Sequence, residues 1–162
     1  MASTEGVKSS LLHPWLILGS LATAAIFVLF LCTFFEPIWE TNDDVQMSMV
    51  AHGYGLAAYD FHNLIFSNVL WGHLVRSIPA INGILGYSIA TLGVLIVVGF
   101  VVLHGLYKLG VGYLSCLLVL TLILVRPVLF PQFTINAGLL LVAAIICWHL
   151  FARHNDWRAL LL

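Results

Sequence analysis

The stretch GILGYSIATLGVLIVVGFVVLHGL, Gly83 to Leu106, decides the fold. It contains no Asp, Glu, Lys or Arg. It is also longer than the roughly 20 apolar residues that a helix needs to cross a hydrocarbon core of about 30 Å. Three further runs of the same kind, at 16–35, 109–125 and 133–151, predict four transmembrane helices in an all-α integral membrane protein. In a bilayer each spanning segment must satisfy its own backbone hydrogen bonds, and runs this long and continuous do so as helices and not as barrel strands.

Composition agrees. Of 162 residues 62% are hydrophobic and 8% charged, against about 25% charged in soluble domains, and the mean hydropathy is +1.07. The net charge of -1 says nothing about nucleic acid, and with no basic run present no nucleic-acid partner is expected. Cys32, Cys116 and Cys147 are isolated within apolar runs and read as small hydrophobes. The first run exceeds a signal-peptide core and is followed by no small-x-small cleavage site, so it reads as an anchor. Pro14 suits a helix start and Trp15 a headgroup belt.

Short connections at Lys108–Gly110 and Arg126–Gln132 make consecutive spans antiparallel neighbours. An orientation with the N-terminus cytoplasmic puts Lys8, Lys108, Arg153 and Arg158 inside and only Arg76 and Arg126 outside, as the positive-inside rule favours. The segment 36–82 is then extracytoplasmic. It carries five of the seven acids: Glu36, Glu40, Asp43, Asp44 and Asp60.

Two short interfacial helices are expected in this loop. For the first, Thr41 reads as N-cap, Asp44 completes a capping box, and Gly53 or Gly55 stops the helix. Helix-dipole stabilisation accounts for two aspartates in a first turn without any function. The functional alternative is a divalent cation held by Asp43 and Asp44, or one of them serving as general base. Asp44, Ser48 and His52, spaced i, i+4 and i+8, share a face where a base, a hydroxyl and an imidazole would line one wall of a cleft. A solvated loop histidine is the plainer reading of His52. The second helix is expected over 64–78, with Asn68, Gly72, His73 and Arg76 on one face and Leu70, Trp71, Leu74, Val75 and Ile78 on the other. A fifth span is its alternative.

The segment Thr41-Asn42-Asp43-Asp44 followed by Gly53-Tyr54-Gly55, then Asn63-Leu64-Ile65-Phe66-Ser67-Asn68 and Pro131-Gln132-Phe133-Thr134, resembles bacterial members of the GT-C class of polytopic membrane glycosyltransferases. The resemblance covers the chain from Leu16 to Phe151. It implies sugar transfer from a polyprenyl-phosphate carrier on the extracytoplasmic face of a bacterial cytoplasmic membrane. Asp43 or Asp44 would be the catalytic base, and the other would hold a metal ion or orient the acceptor. Glu40, Ser48 and His52 would belong to the substrate site. Arg76 and Arg126 would steady the departing lipid phosphate, or else serve as a snorkelling side chain and a helix-end anchor. The class carries more spans than four and often an acid in the second outer loop. A front portion of a longer enzyme, a split subunit completed by a partner membrane subunit, or a degenerate paralogue follows.

Two functions of other classes stand beside this one. His104 and His149, at matching depth on the second and fourth spans, offer axial ligands for a b-type haem. A non-catalytic subunit or scaffold would use the loop to bind a partner.

Overall fold

The computed structural model describes residues 13–161; Lys8 and the rest of the N-terminal segment lie outside the described residues. Every regular element among them is helical: α1 (Pro14–Phe34), α2 (Asn42–His52), α3 (Val69–Ser77), α4 (Gly86–Lys108), α5 (Tyr113–Leu129) and α6 (Phe133–His154), followed by a 3₁₀ turn over Trp157–Leu161. By length and composition α1, α4 and α6 are each able to cross a membrane. The apolar helix α5, with 17 residues, is shorter.

Packing centres on α4, which touches every other helix. Its Leu95, Val98 and Val102 meet Val28 and Leu31 of α1, Leu120 and Leu124 of α5, and Ala143 and Cys147 of α6 in one buried cluster. The buried residues of α1, Ser20, Ala24, Val28 and Leu31, recur at helical spacing, so α1 contributes one stripe and leaves Ile26, Leu29 and Phe30 exposed. Close approach of α4 to α6 requires Gly105, where a Cβ would run into Ile146.

Helix ends depart from the sequence reading in instructive ways. Helix α5, expected from the apolar run 109–125, starts at Tyr113 and not at Leu109, because Gly110 turns the chain at φ +95° and Gly112 is the extended N-cap. It then runs through Pro127 to Leu129. The lost backbone donor is offset there by burial of Pro127 and Val128. Helix α6 continues past Phe151, since Arg153 and His154 in a last turn suit the negative end of the dipole, and it stops where Asn155 takes the left-handed conformation at φ +49°.

The ends of α1 and α5 and the starts of α4 and α6 gather at the end of the bundle that carries the acidic segment. The Ile38 amide donates to the Leu129 carbonyl at 2.9 Å and the Glu40 amide to the Pro131 carbonyl at 3.3 Å, tying that segment to the α5–α6 loop. Helices α2 and α3 dock on the start of α4 through a second cluster, Met47, Ala51, Leu64, Val75 and Tyr87.

Helix α3 is shorter than the expected 64–78. Phe66 sits at φ +61°, which no helix interior admits, and Asn68 caps the helix by accepting from the Trp71 amide at 2.8 Å. Asn68 is therefore the N-cap and not part of the polar face. Gly72 and Val75 make the inward side, whereas Leu70 and Leu74 remain exposed.

Candidate functional site

Asp44 and His52, singled out by spacing, converge on one residue that spacing did not reveal, Tyr87, in the first turn of α4. Its phenol donates to Asp44 Oδ1 at 2.9 Å, and its backbone amide donates to His52 Nε2 at 3.1 Å. Asp44, Ser48 and His52 do share a face of α2, and it is the face turned toward α4. Asp44 and Ser48 are buried and His52 partly so. Ser48 Oγ accepts from the Tyr54 hydroxyl at 3.0 Å, which closes the turn after the helix.

Asp44 is the hub of this end of the molecule. It is fully buried, and besides Tyr87 it accepts from the Phe133 amide at the start of α6 (3.2 Å) and from the Thr41 hydroxyl (3.0 Å, to Oδ2). One carboxylate thus joins α2, α4 and α6. The expected capping box is not formed: Thr41 is the N-cap, but its hydroxyl donates to the Asp44 carboxylate and makes no bond to a helix amide. The reason is that Asp44 turns inward to its two other donors. Burial pushes its pKa above the ordinary carboxylate value, against the opposing pull of these hydrogen bonds, and the charge of neighbouring Asp43 adds to the rise. Burial, seconded by the charge of Arg76, pushes His52 below the usual histidine range, while Asp60 opposes.

Asp43, adjacent in the first turn of α2, is only half-buried and is the reachable carboxylate of the two. Both arginines of this end are held by acids, Arg126 by Glu40 and Arg76 by Asp60. Glu40 accordingly lies at the α5–α6 corner. Among the described residues no three His, Cys, Asp or Glu side chains gather as a metal-ligand group.

A cavity of about 340 Å³ abuts the hub on the side of Phe133, between the Phe66–Trp71 corner, α4 and the first two turns of α6. Another, of about 280 Å³, lies between the end of α1 and α4, and Thr91 borders both. The Thr91 hydroxyl donates to the Tyr87 carbonyl at 2.8 Å and its own carbonyl accepts from Asn136 Nδ2 at 3.3 Å, so the wall shared by the cavities is bonded to the hub.

The two histidines at matching depth differ in their surroundings. His104 is fully buried beside Phe100, while His149 is exposed. The side of α6 that meets Gly105 of α4 carries Ile146 and Leu150.

Tyr87, Thr91 and Asn136 escaped the sequence reading. A tyrosine near the start of an apolar run looks like a membrane-belt residue. The only signal that could have marked it is its position in the span that follows an acidic loop. Compared with family models, with curated proteins and with solved structures, the chain matches none of them.

Proposed function

We propose that this chain is an integral membrane protein of four antiparallel spans, α1, α4, α5 and α6, and that it is similar to the front part of a membrane glycosyltransferase. Its acidic end faces the extracytoplasmic side and α2 and α3 lie in the interface. The reaction is transfer of a sugar from a polyprenyl-phosphate carrier to an acceptor hydroxyl, with Asp43 and Asp44 as the acidic pair.

The observation that carries this reading is the diacid at the foot of α1, where one carboxylate is buried and joins three helices while its neighbour stays reachable. Inverting attack at an anomeric carbon demands a carboxylate placed to take the proton of the acceptor hydroxyl. Both oxygens of Asp44 already accept hydrogen bonds. Asp43 is therefore the group that would take the acceptor proton or hold a divalent ion, and Asp44 fixes its place. Much of the apolar surface of α1 and α6 lies uncovered within the chain, with 22% of each apolar window buried, which leaves room for lipid and for the further helices of a larger enzyme or a partner subunit.

A second reading, a non-catalytic subunit, is favoured by one specific feature. Glu40, Asp44, Arg76 and Arg126 all have internal partners, as residues of a purely structural corner would.

One assay separates the two. Membranes holding the chain and any subunit that co-purifies with it are given a radiolabelled polyprenyl-phosphate sugar. Asp43→Asn is expected to abolish transfer with insertion unchanged, whereas Tyr87→Phe, which loosens the hub and keeps both carboxylates, retains part of it. Transfer at full rate in both Asp43→Asn and Asp44→Asn would sink the assignment.

A further inference from the structure

The 340 Å³ cavity beside the hub has a feature that packing does not explain. Asn136 lines it and is 6% exposed. Its Nδ2 is used on the Thr91 carbonyl, but its Oδ1 receives no hydrogen bond. A buried acceptor left without a donor costs about 1–3 kcal/mol, so its retention points to a donor that the described residues do not supply. Phe66 at the cavity's edge is held at φ +61°, a conformation that is costly for an aromatic residue and that gathers at binding sites. Its ring lies nearly parallel to that of Phe133, with centroids 6.4 Å apart.

The lining specifies the chemistry of the occupant. Phe66, Trp71, Val94, Phe133 and Leu140 make it mainly apolar, Ser67 and Thr134 add hydroxyls, and among the described residues no Lys, Arg, Asp or Glu lines it. An anionic headgroup would find no cation there. Thr134, Ala137 and Leu140 are exposed, so the cavity opens on the outer flank of α6. In the four-span arrangement that flank meets lipid near the headgroup level.

We infer that this cavity binds an uncharged amphiphile with one long apolar chain and a hydroxyl headgroup, the hydroxyl donating to Asn136 Oδ1 and the chain leaving past Leu140. The site is distinct from any place for a phosphate-bearing carrier. The inference rests on the membrane arrangement and not on sugar transfer, and binding is read independently of transfer.

The test uses the full chain in phosphatidylcholine nanodiscs, whose headgroups carry no hydrogen-bond donor. The probe is a long-chain alcohol with a mid-chain diazirine, and peptides are mapped after illumination. Labelling is expected on peptides spanning 66–71 and 133–140, competed by octadecanol or monoolein and not by octadecane or octadecyl phosphate. Asn136→Leu lowers it about five-fold, the worth of one hydrogen bond. Ala137→Phe, at an exposed position, fills the mouth without touching a buried polar group and abolishes it. If Asn136→Leu does not fold, Ala137→Phe decides. Competition by octadecane as strong as by octadecanol would reduce the site to apolar partition and overturn the inference. So would preference for octadecyl phosphate, or labelling undiminished in Ala137→Phe.

Discussion

Tyr87 is gripped at both ends by α2, its phenol by Asp44 and its amide by His52, and the two grips respond to pH with opposite signs. His52 Nε2 accepts a hydrogen bond, so it must be unprotonated. Burial, and after it Arg76, depress its pKa below the ordinary value of about 6.5. With a depressed folded pKa, the unfolded state takes up the proton first. The contribution of His52 is therefore complete above about pH 6.5 and is lost as pH falls through the folded value. Asp44 runs the other way. Its pKa is raised, so its contribution is complete below about pH 4 and declines as pH rises through the raised value. Hydrogen exchange isolates the histidine. The protection factor of the Tyr87 amide, taken relative to intrinsic exchange, is expected to fall as pH drops below about 6.5, and His52→Gln, whose amide oxygen accepts without titrating, is expected to flatten that fall. An equal fall in His52→Gln would show that the imidazole is not responsible.

Between helices, α3 illustrates where local preference and packing pull in opposite directions. Ala is the better helix former by about 1 kcal/mol, so propensity alone makes Gly72→Ala stabilising. A Cβ at Gly72, however, would overlap the carbonyl oxygen of His62, a backbone atom with no room to yield. Overpacking of this kind costs about 1–3 kcal/mol or more and outweighs the propensity gain. Gly72→Ala is therefore expected to lower the melting temperature and to expose the 53–68 segment to protease, and a rise in melting temperature would refute the close packing. The same helix marks how far the sequence was legible. The long helices stood out because their period and length are set by the chain itself, and α2 stood out because Thr41 and Gly53 are the end signals that sequence can show. The start of α3 was hidden, because Phe66 holds a left-handed conformation that nothing in its side chain announces. The hub and the Asn136 cavity were hidden for a related reason: Asp44 meets Tyr87 across 43 positions of sequence and Phe133 across 89, and such pairings arise from packing alone.

For the molecule as a whole, the bundle has two chemically different ends. One carries Glu36, Glu40, Asp43, Asp44 and Asp60 with Arg76 and Arg126 bound to two of these acids; the other carries Lys108, Arg153 and Arg158. The second end is closed by the Arg153 guanidinium donating to the Leu109 carbonyl at 2.8 Å and by the 3₁₀ turn, whose Ala159 packs on Leu150. Short connections force the two ends apart: α4 leaves the acidic end, α5 returns to it and α6 leaves again, so in the proposed four-span arrangement only two orientations exist. The orientation proposed above, with the second end cytoplasmic, is the one that the positive-inside rule favours. Cysteine labelling checks this directly. With Cys32, Cys116 and Cys147 replaced by alanine, single cysteines are placed at two exposed positions, Ala58→Cys in the segment after α2 and His154→Cys at the end of α6. A membrane-impermeant maleimide is expected to label Ala58→Cys in intact cells and His154→Cys only after permeabilisation. The reverse pattern would put the acidic pair in the cytoplasm, out of reach of an extracytoplasmic lipid-linked sugar. Labelling of both positions in intact cells would mean that the bundle does not separate two compartments, and the spanning role of α1, α4, α5 and α6 would fall with it.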